Sequence, residues 1–421
     1  MPKLLVVADD LTGALDTGVQ FVKQSFLTKV EIESTSLKED ADVVVLDTET
    51  RHRAPKNAFY EVLGFTSFFR VKDVWGELDY IYKKTDSTLR GNIGVELKAI
   101  LEVFEAPIFF VPAYPEQGRI TKNGIQYVDG KPIAESVFAK DPLNPVRKSF
   151  IPDIIKEQAD IKTFVVTKDK YESILNGDLE LGVYIFDAET REDLERIGNI
   201  LKVKDLLRCT AGSAGFAETL SRLIVLKDRR KISPPEVSLK AQPLIVICGS
   251  INERSLKQIE YIKNRRKVLD VILTPEEVFK KRRFFLKDSD LKSCDVVVIR
   301  TVEKTSDVRI YEEYAKANSI NLEVLPSIVV KRLGDIGYRL LRRLRENTDT
   351  LVVFGGDTLL SITNRMNVRC LFPLMEIEKG TVLSKMEDLF FISKAGGFGE
   401  EDILEKILDL VEKGLNYPYE G

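Results

Sequence analysis

The chain has 421 residues, 44% hydrophobic and 31% charged, with a formal net charge of -3. That length exceeds what a single hydrophobic core usually serves, so two domains are expected, and the mixed, near-balanced charge argues against a general nucleic-acid surface. A single histidine, His52, and four scattered cysteines, Cys209, Cys248, Cys294 and Cys370, point away from His-based catalysis, a disulfide framework and a Cys/His zinc site.

No stretch is apolar for the length of a membrane span, and residues 1–10 turn acidic too early for a secretory leader, so a cytoplasmic protein is expected. In chain order the first half shows β-branched runs at 4–7, 43–46, 80–84, 108–111, 163–166 and 183–186, with helical periodicity at 12–26, 54–69 and 93–104. The second half has strands at 244–248, 271–273, 296–299, 351–354 and 390–393, and helices at 253–263, 328–345 and 402–412. Alternation of near-continuous apolar strands with helices predicts an α/β protein of two domains. Their sheets are mostly parallel and covered by helices, with an active site in the interdomain cleft. Residues 231–243, KISPPEVSLKAQP, carry three prolines and predict a linker between domains 1–230 and 244–421.

Four constellations in the first half carry chemistry. A buried strand ends in Asp9 and Asp10 before a helix; one of them can cap that helix, but capping does not readily explain two adjacent acids. The second strand runs into Asp47, Thr48 and Arg51, where a guanidinium could hold a carboxylate through two parallel bonds or simply face solvent. The third constellation packs Lys83, Lys84, Thr85, Asp86, Ser87, Thr88, Arg90 and Asn92 into one strand–helix turn flanked by Gly91 and Gly94. Cations, hydroxyls and a carboxylate at a helix N-terminus suit a polyhydroxy anion. The fourth is a Pro/Gly/Asn-rich loop with Arg119 as candidate anion contact and a hairpin turn at 128–131.

In the second half three strands each end in a small-residue turn before a helix: Gly249-Ser250, Gly355-Gly356-Asp357-Thr358, and Lys394-Ala395-Gly396-Gly397. Such turns leave backbone N–H groups free for a phosphate, although tight strand–helix turns need glycine anyway. Neither the GxxxxGK[ST] phosphate loop nor GxGxxG is present. A further glycine-rich turn, GSAGFAE at 212–218, reads equally well as close packing of a helix on a sheet.

Together ADDLTGALDT, DTETR, KKTDSTLRGNIG, PAYPEQGR, DPLNPV and GSAGFAE, followed by CGS, GGDT and KAGGFG, resemble the four-carbon acid sugar kinase family over nearly the whole chain. The resemblance implies an N-terminal acid-sugar-binding domain and a C-terminal nucleotide-binding domain. It also implies transfer of the γ-phosphoryl group of ATP to the C4 hydroxyl of a substrate such as D-threonate, D-erythronate or 3-oxo-tetronate. Carried over by position, Asp9, Arg51 and the run Lys84, Thr85, Asp86 and Ser87 would meet the substrate, with Asp10, Arg90 and Arg119 added from the residues themselves. Asp9 or Asp86 would accept the proton of the attacking hydroxyl. Ser250, Gly355, Gly356, Asp357, Thr358 and Gly396 would meet ATP. Mg²⁺ is expected to bridge the ATP phosphates with few protein ligands, Asp357 being a candidate directly or through water, so no dedicated metal site is assigned. Many relatives read Lys-Ser-Gly-Asn-Phe-Gly in the last motif; Ala395 and Gly397 stand here instead, removing two side-chain hydrogen-bonding groups. The run Lys84-Thr85-Asp86-Ser87-Thr88-Leu89-Arg90 is closer to the threonate and erythronate kinases than to those acting on 3-oxo-tetronate. A metabolite-binding protein without turnover is the competing class. The expected partners are the sugar acid and ATP, with a homodimer as a candidate assembly and neither nucleic acid nor membrane.

Overall fold

The computed structural model describes residues 2–32, 41–72, 78–141, 143–175, 178–226, 238–280 and 284–413. Residues 231–237 of the expected linker and Pro142 of the DPLNPV motif lie outside the described residues. The chain divides into two compact units, Met1–Ile232 and Ser233–Gly421.

The first unit contains the strands β1 (Leu4–Ala8), β2 (Thr28–Ile32), β3 (Val43–Asp47), β4 (Tyr80–Lys84), β5 (Ile108–Val111), β6 (Arg119–Lys122), β7 (Ile125–Val128), β8 (Lys131–Pro132), β9 (Thr163–Val166), β10 (Val183–Phe186) and β11 (Cys209–Gly212). Its helices are α1 (Leu11–Val22), α2 (Pro55–Lys72), α3 (Ile93–Phe104), α4 (Ile151–Gln158), α5 (Arg191–Val203) and α6 (Ala214–Leu223). The main sheet runs β2-β3-β1-β4-β11-β5-β10-β9 and every pairing in it is parallel. Central strands such as β1, β3 and β5 are buried along their whole length, as their unbroken apolar runs require. Val7, Leu46, Ile81, Phe110 and Ile185 of the sheet pack with Leu97 and Ile100 of α3 in one core.

Strand order positions the site. From β1 the chain fills the sheet on one side, through β2 and β3, then returns to lay β4 against the other side of β1. Ala8 lies level with both Asp47 and Lys84, so three strand ends meet at this reversal, the place where open parallel sheets bind ligands. The small sheet β6-β7-β8 is antiparallel, and its expected turn is present: Asp129 and Gly130 both take positive φ, 50° and 79°.

The second unit contains β12 (Leu244–Cys248), β13 (Val268–Ile272), β14 (Val296–Arg300), β15 (Thr350–Phe354), β16 (Cys370–Glu378), β17 (Thr381–Met386) and β18 (Leu389–Lys394). Its helices are α7 (Glu253–Lys263), α8 (Pro275–Phe279), α9 (Asp288–Lys292), α10 (Val308–Ala317), α11 (Leu325–Arg343), α12 (Gly356–Arg365) and α13 (Ile403–Lys413). The order is β13-β14-β12-β15-β18-β17-β16, parallel through β18 and antiparallel beyond it. The strands that precede the three glycine turns, β12, β15 and β18, are thus neighbours, with Cys248, Phe354 and Lys394 in register. Leu239 and Ala241, inside the segment expected as linker, pack into the core of this unit.

Strands β2, β16 and β17 lie outside the runs named from the sequence. Strand β2 alternates Lys29 and Glu31 with branched residues, yet both charges are buried and paired at 2.7 Å. Strands β16 and β17 pair antiparallel; β16 is largely half-buried, and β17 buries Thr381 and Ser384 beside its apolar Val382 and Leu383.

Candidate active site

In the first unit the adjacent acids divide their work. Asp10 is the N-cap of α1: its Oδ1 accepts the Gly13 amide at 3.1 Å and its Oδ2 accepts the Thr12 hydroxyl at 3.1 Å. Asp9 caps nothing and is held by Arg51, which donates Nε at 2.7 Å and Nη2 at 3.0 Å to its two oxygens. The same guanidinium donates to both oxygens of Asp10, at 2.7 and 2.8 Å. Arg51 is one of three cations, with Lys84 and Arg90, expected as contacts for a substrate carboxylate; four of its five N–H donors are engaged by Asp9 and Asp10, so it organises the acids. Burial alone would raise the Asp9 carboxyl, but Arg51, then Lys83, outweigh it and hold Asp9 below the usual carboxylate range.

The turn after β4 closes over this cluster. Gly91 has φ of +88°, and a Cβ there would meet Arg51 Cγ and the Arg51 carbonyl at 3.1 Å, so only glycine lets the turn pass. Asp86 Oδ2 accepts the Thr88 hydroxyl at 2.5 Å and Arg90 Nε at 2.6 Å. Burial pushes the Asp86 carboxyl up, but Arg90 and Arg51 pull it far below its ordinary value. Arg90 is also paired with Asp141 at 3.3 Å, whose Oδ1 accepts the Leu143 and Asn144 amides. Arg90 therefore anchors the loop that follows Lys140 as well as Asp86. Arg119 donates to the Gln117 carbonyl and holds its own turn.

Three groups of this turn have no hydrogen-bond or ion-pair partner among the described residues. Lys84 Nζ makes no hydrogen bond or ion pair among the described residues, and it sits over the start of α1, where a Cβ on Gly13 would come within 2.7 Å of it. Asp86 Oδ1 likewise accepts nothing among the described residues. Thr85 Oγ1 is buried and without a partner there. Ser87 gives its carbonyl to Gln126 at 2.8 Å.

Beneath the site lies a layer that sequence reading missed. Lys83 is fully buried, paired with Glu96 at 2.9 Å, and donates to the Lys84 carbonyl at 2.7 Å. Glu96 accepts the Thr50 hydroxyl, Thr48 donates to the Ala8 carbonyl at 2.8 Å, and Asn92 donates to the carbonyls of Thr50 and Arg53. These bonds lock the loop carrying Arg51 to β1, β4 and α3. The dense polar run around Lys83 was visible, but which of its cations faced inward was not. Asp47, at the end of β3, is pushed well above the usual range by burial and then by Glu49.

In the second unit the three turns touch. A Cβ on Gly249 would meet Thr358 Oγ1 at 1.9 Å, and one on Gly396 would meet Ser250 Oγ at 2.8 Å. Gly355, at φ of +108°, precedes α12, whose first turn has no side-chain cap and so keeps its N–H groups for a ligand. Ser250, Gly355, Gly356, Thr358 and Gly396 are thereby brought together, and Asp357 is exposed in the first turn of α12. Ser255 Oγ joins the turns: its single proton has two alternative acceptors, Ser250 Oγ at 3.0 Å and the Gly396 carbonyl at 2.9 Å. The GSAGFAE turn is packing: Ser213 caps α6, and a Cβ on Gly215 would meet the Tyr114 ring at 2.7 Å. Among the described residues no group of three or more His, Cys, Asp or Glu side chains could hold a metal ion, and no helix is long and apolar enough to cross a membrane.

A carboxylate-and-cation cluster at the reversal point of one parallel sheet, and a phosphate-type cradle of three glycine turns on another, define a sugar-binding and a nucleotide-binding unit. Residues 4–220 match the family model described as a sugar-binding N-terminal domain, and residues 245–404 match that of a nucleotide-binding C-terminal domain. The chain belongs to the four-carbon acid sugar kinase family. It is 27% identical to a D-threonate kinase of Salmonella typhimurium, over 98% of this chain and 99% of that protein. It is 25% identical to a D-erythronate kinase of Heliobacterium modesticaldum, over 86% and 85%. A solved protein of Haemophilus influenzae shares the fold, with a TM-score of 0.70 at 18% identity over 97% of this chain and all of that one.

Proposed function

We propose that the protein phosphorylates the C4 hydroxyl of D-threonate or D-erythronate with ATP, in the cytoplasm. The observation that carries this reading is the unengaged pair on one strand end, Lys84 Nζ and Asp86 Oδ1, beside the Arg51-clamped acids Asp9 and Asp10. Lys84 binds the substrate carboxylate as a point charge, and Asp86 Oδ1 accepts a substrate hydroxyl. Asp9 and Asp10, both hydrogen-bonded by Arg51, accept further hydroxyls. Such acceptors favour an acid with hydroxyls at both C2 and C3; a 3-oxo substrate lacks one donor and leaves a carboxylate lone pair unmatched.

ATP supplies the phosphoryl group. Phosphoryl transfer asks the protein chiefly for alignment and charge neutralisation. The amides of α12 and the turns at Gly249, Gly355 and Gly396 bind the phosphates. Mg²⁺ belongs with those phosphates, and Asp357 is the carboxylate assigned to it, directly or through water. Asp86, kept far below its ordinary value, orients the attacking hydroxyl and takes its proton only as the transfer completes; Asp9 supports it.

The test is ATP consumption with Mg²⁺ on D- and L-threonate, D- and L-erythronate and 3-oxo-tetronate, with the 4-phosphate identified by mass. Turnover on D-threonate or D-erythronate is expected. Turnover confined to 3-oxo-tetronate would overturn the substrate assignment. ATP binding with no turnover on any acid would overturn the kinase assignment.

A further inference from the structure

Lys394 ends β18 directly before the third glycine turn, and its side chain is fully buried. A buried ammonium normally has a carboxylate partner. Lys394 has no ion pair among the described residues. Its Nζ donates to Ser255 Oγ at 3.0 Å and to the Gly396 carbonyl at 3.2 Å, and lies 4.6 Å from the centre of the Phe354 ring. Two of its three protons are thus placed on the groups that join the turns, and no fixed anion balances the charge. We infer that Lys394 is a positioning residue for the nucleotide phosphates: it orders Ser255, Ser250 and the Gly396 carbonyl, and it takes up a proton when phosphate charge arrives on the turns beside it.

The surroundings agree. Burial pulls the Lys394 ammonium down to about 7. The charged or titratable groups facing it are Cys248 of β12, Arg254 of α7 and Glu378 of β16. Burial pushes the Cys248 thiol up to about 11, Arg254 is a like charge, and Glu378 is paired with Lys406. None of these supplies a close anion, whereas an oppositely charged ligand nearby raises a cation's proton affinity by roughly one to three pKa units.

The inference rests on the nucleotide reading of this unit, and one experiment separates the two. ATP is titrated calorimetrically into the full-length protein at pH 8 in buffers of different ionisation enthalpy. At that pH the terminal phosphate, with a second pKa of about 6, has already lost its proton, so the nucleotide releases little. Binding with uptake of roughly half a proton or more per site is expected. Lys394→Met should lose the uptake and raise the KM for ATP about tenfold or more. Ser255→Ala, which keeps the ammonium, should retain the uptake, raise the KM for ATP and change kcat less. Binding whose enthalpy is independent of buffer overturns the role of Lys394 and leaves the nucleotide site standing. Absence of ATP binding overturns both. If Lys394→Met fails to fold, the wild-type buffer dependence and Ser255→Ala still decide.

Discussion

Arg51 grips Asp9 through two parallel hydrogen bonds, Nε at 2.7 Å and Nη2 at 3.0 Å, with the carboxylate only 1% exposed. The pair holds the Asp9 carboxyl below the usual carboxylate range against the effect of burial. Removing the guanidinium would leave two acids side by side, one of them buried and stripped of its hydrogen-bonded counter-charge. Arg51→Ala should destabilise the sugar-binding unit by about 3–5 kcal/mol, measured by urea denaturation. Arg51→Lys should fold but lose most of its kcat/KM, because an ammonium cannot bond both carboxylates in parallel.

Lys84 Nζ has no hydrogen bond or ion pair among the described residues, and the proposed function gives it the substrate carboxylate. Lys84→Met preserves the stem that packs beside α1 and removes the charge. The KM for the sugar acid should rise by roughly tenfold to a hundredfold, with a smaller change in kcat and none in the KM for ATP. Steady-state kinetics with each substrate varied in turn would check this; equal loss against both substrates would count against a carboxylate-binding role.

Asp86 should matter for rate. Asp86→Asn keeps the shape but removes the charge opposing Arg90, and kcat should fall about a hundredfold or more while ATP affinity stays. The folded carboxyl lies far below its unfolded value. Its stabilising contribution is therefore present above about pH 4 and is lost as pH falls through the folded value. The wild-type rate profile should accordingly show no acid limb from Asp86 between pH 5 and 7. An acid limb there that Asp86→Asn abolishes would refute this assignment.

Glycine geometry makes the nucleotide cradle separately testable. Gly249→Ala brings a methyl group to 1.9 Å from Thr358 Oγ1, which must move and take the first turn of α12 with it. The KM for ATP should rise at least tenfold, while sugar-acid binding measured by calorimetry without nucleotide stays unchanged.

Lys394 also makes stability depend on pH. Its folded value of about 7 lies below the ordinary 10.5, so the unfolded chain binds more protons between them. Stability therefore rises with pH from about 7 towards 10 on account of this group, opposite in sign to a lysine that gains a partner. The slope of Tm against pH should flatten in Lys394→Met relative to wild type; identical slopes would show that folded Lys394 stays protonated across this range.

The sequence by itself determined the α/β class, the inner strands and the list of polar turns, because unbroken β-branched runs and turn residues act locally; it left open which acid caps α1. The glycine turns at Gly249, Gly355 and Gly396 were legible one at a time. Only tertiary structure made β12, β15 and β18 neighbours, so that the three turns form one cradle. It alone set β1 between β3 and β4, bringing Arg51 onto Asp9 from 42 residues away. The same packing decided which cations are available: Lys83 turns inward to Glu96, Arg51 and Arg90 are engaged by aspartates, and Lys84 is left open. Adjacent lysines in a strand point to opposite faces, but which face carries a buried glutamate depends on the helix laid across it. Spacing along the chain does not encode that contact; burial of charge, which is tolerated only with a partner, decides it.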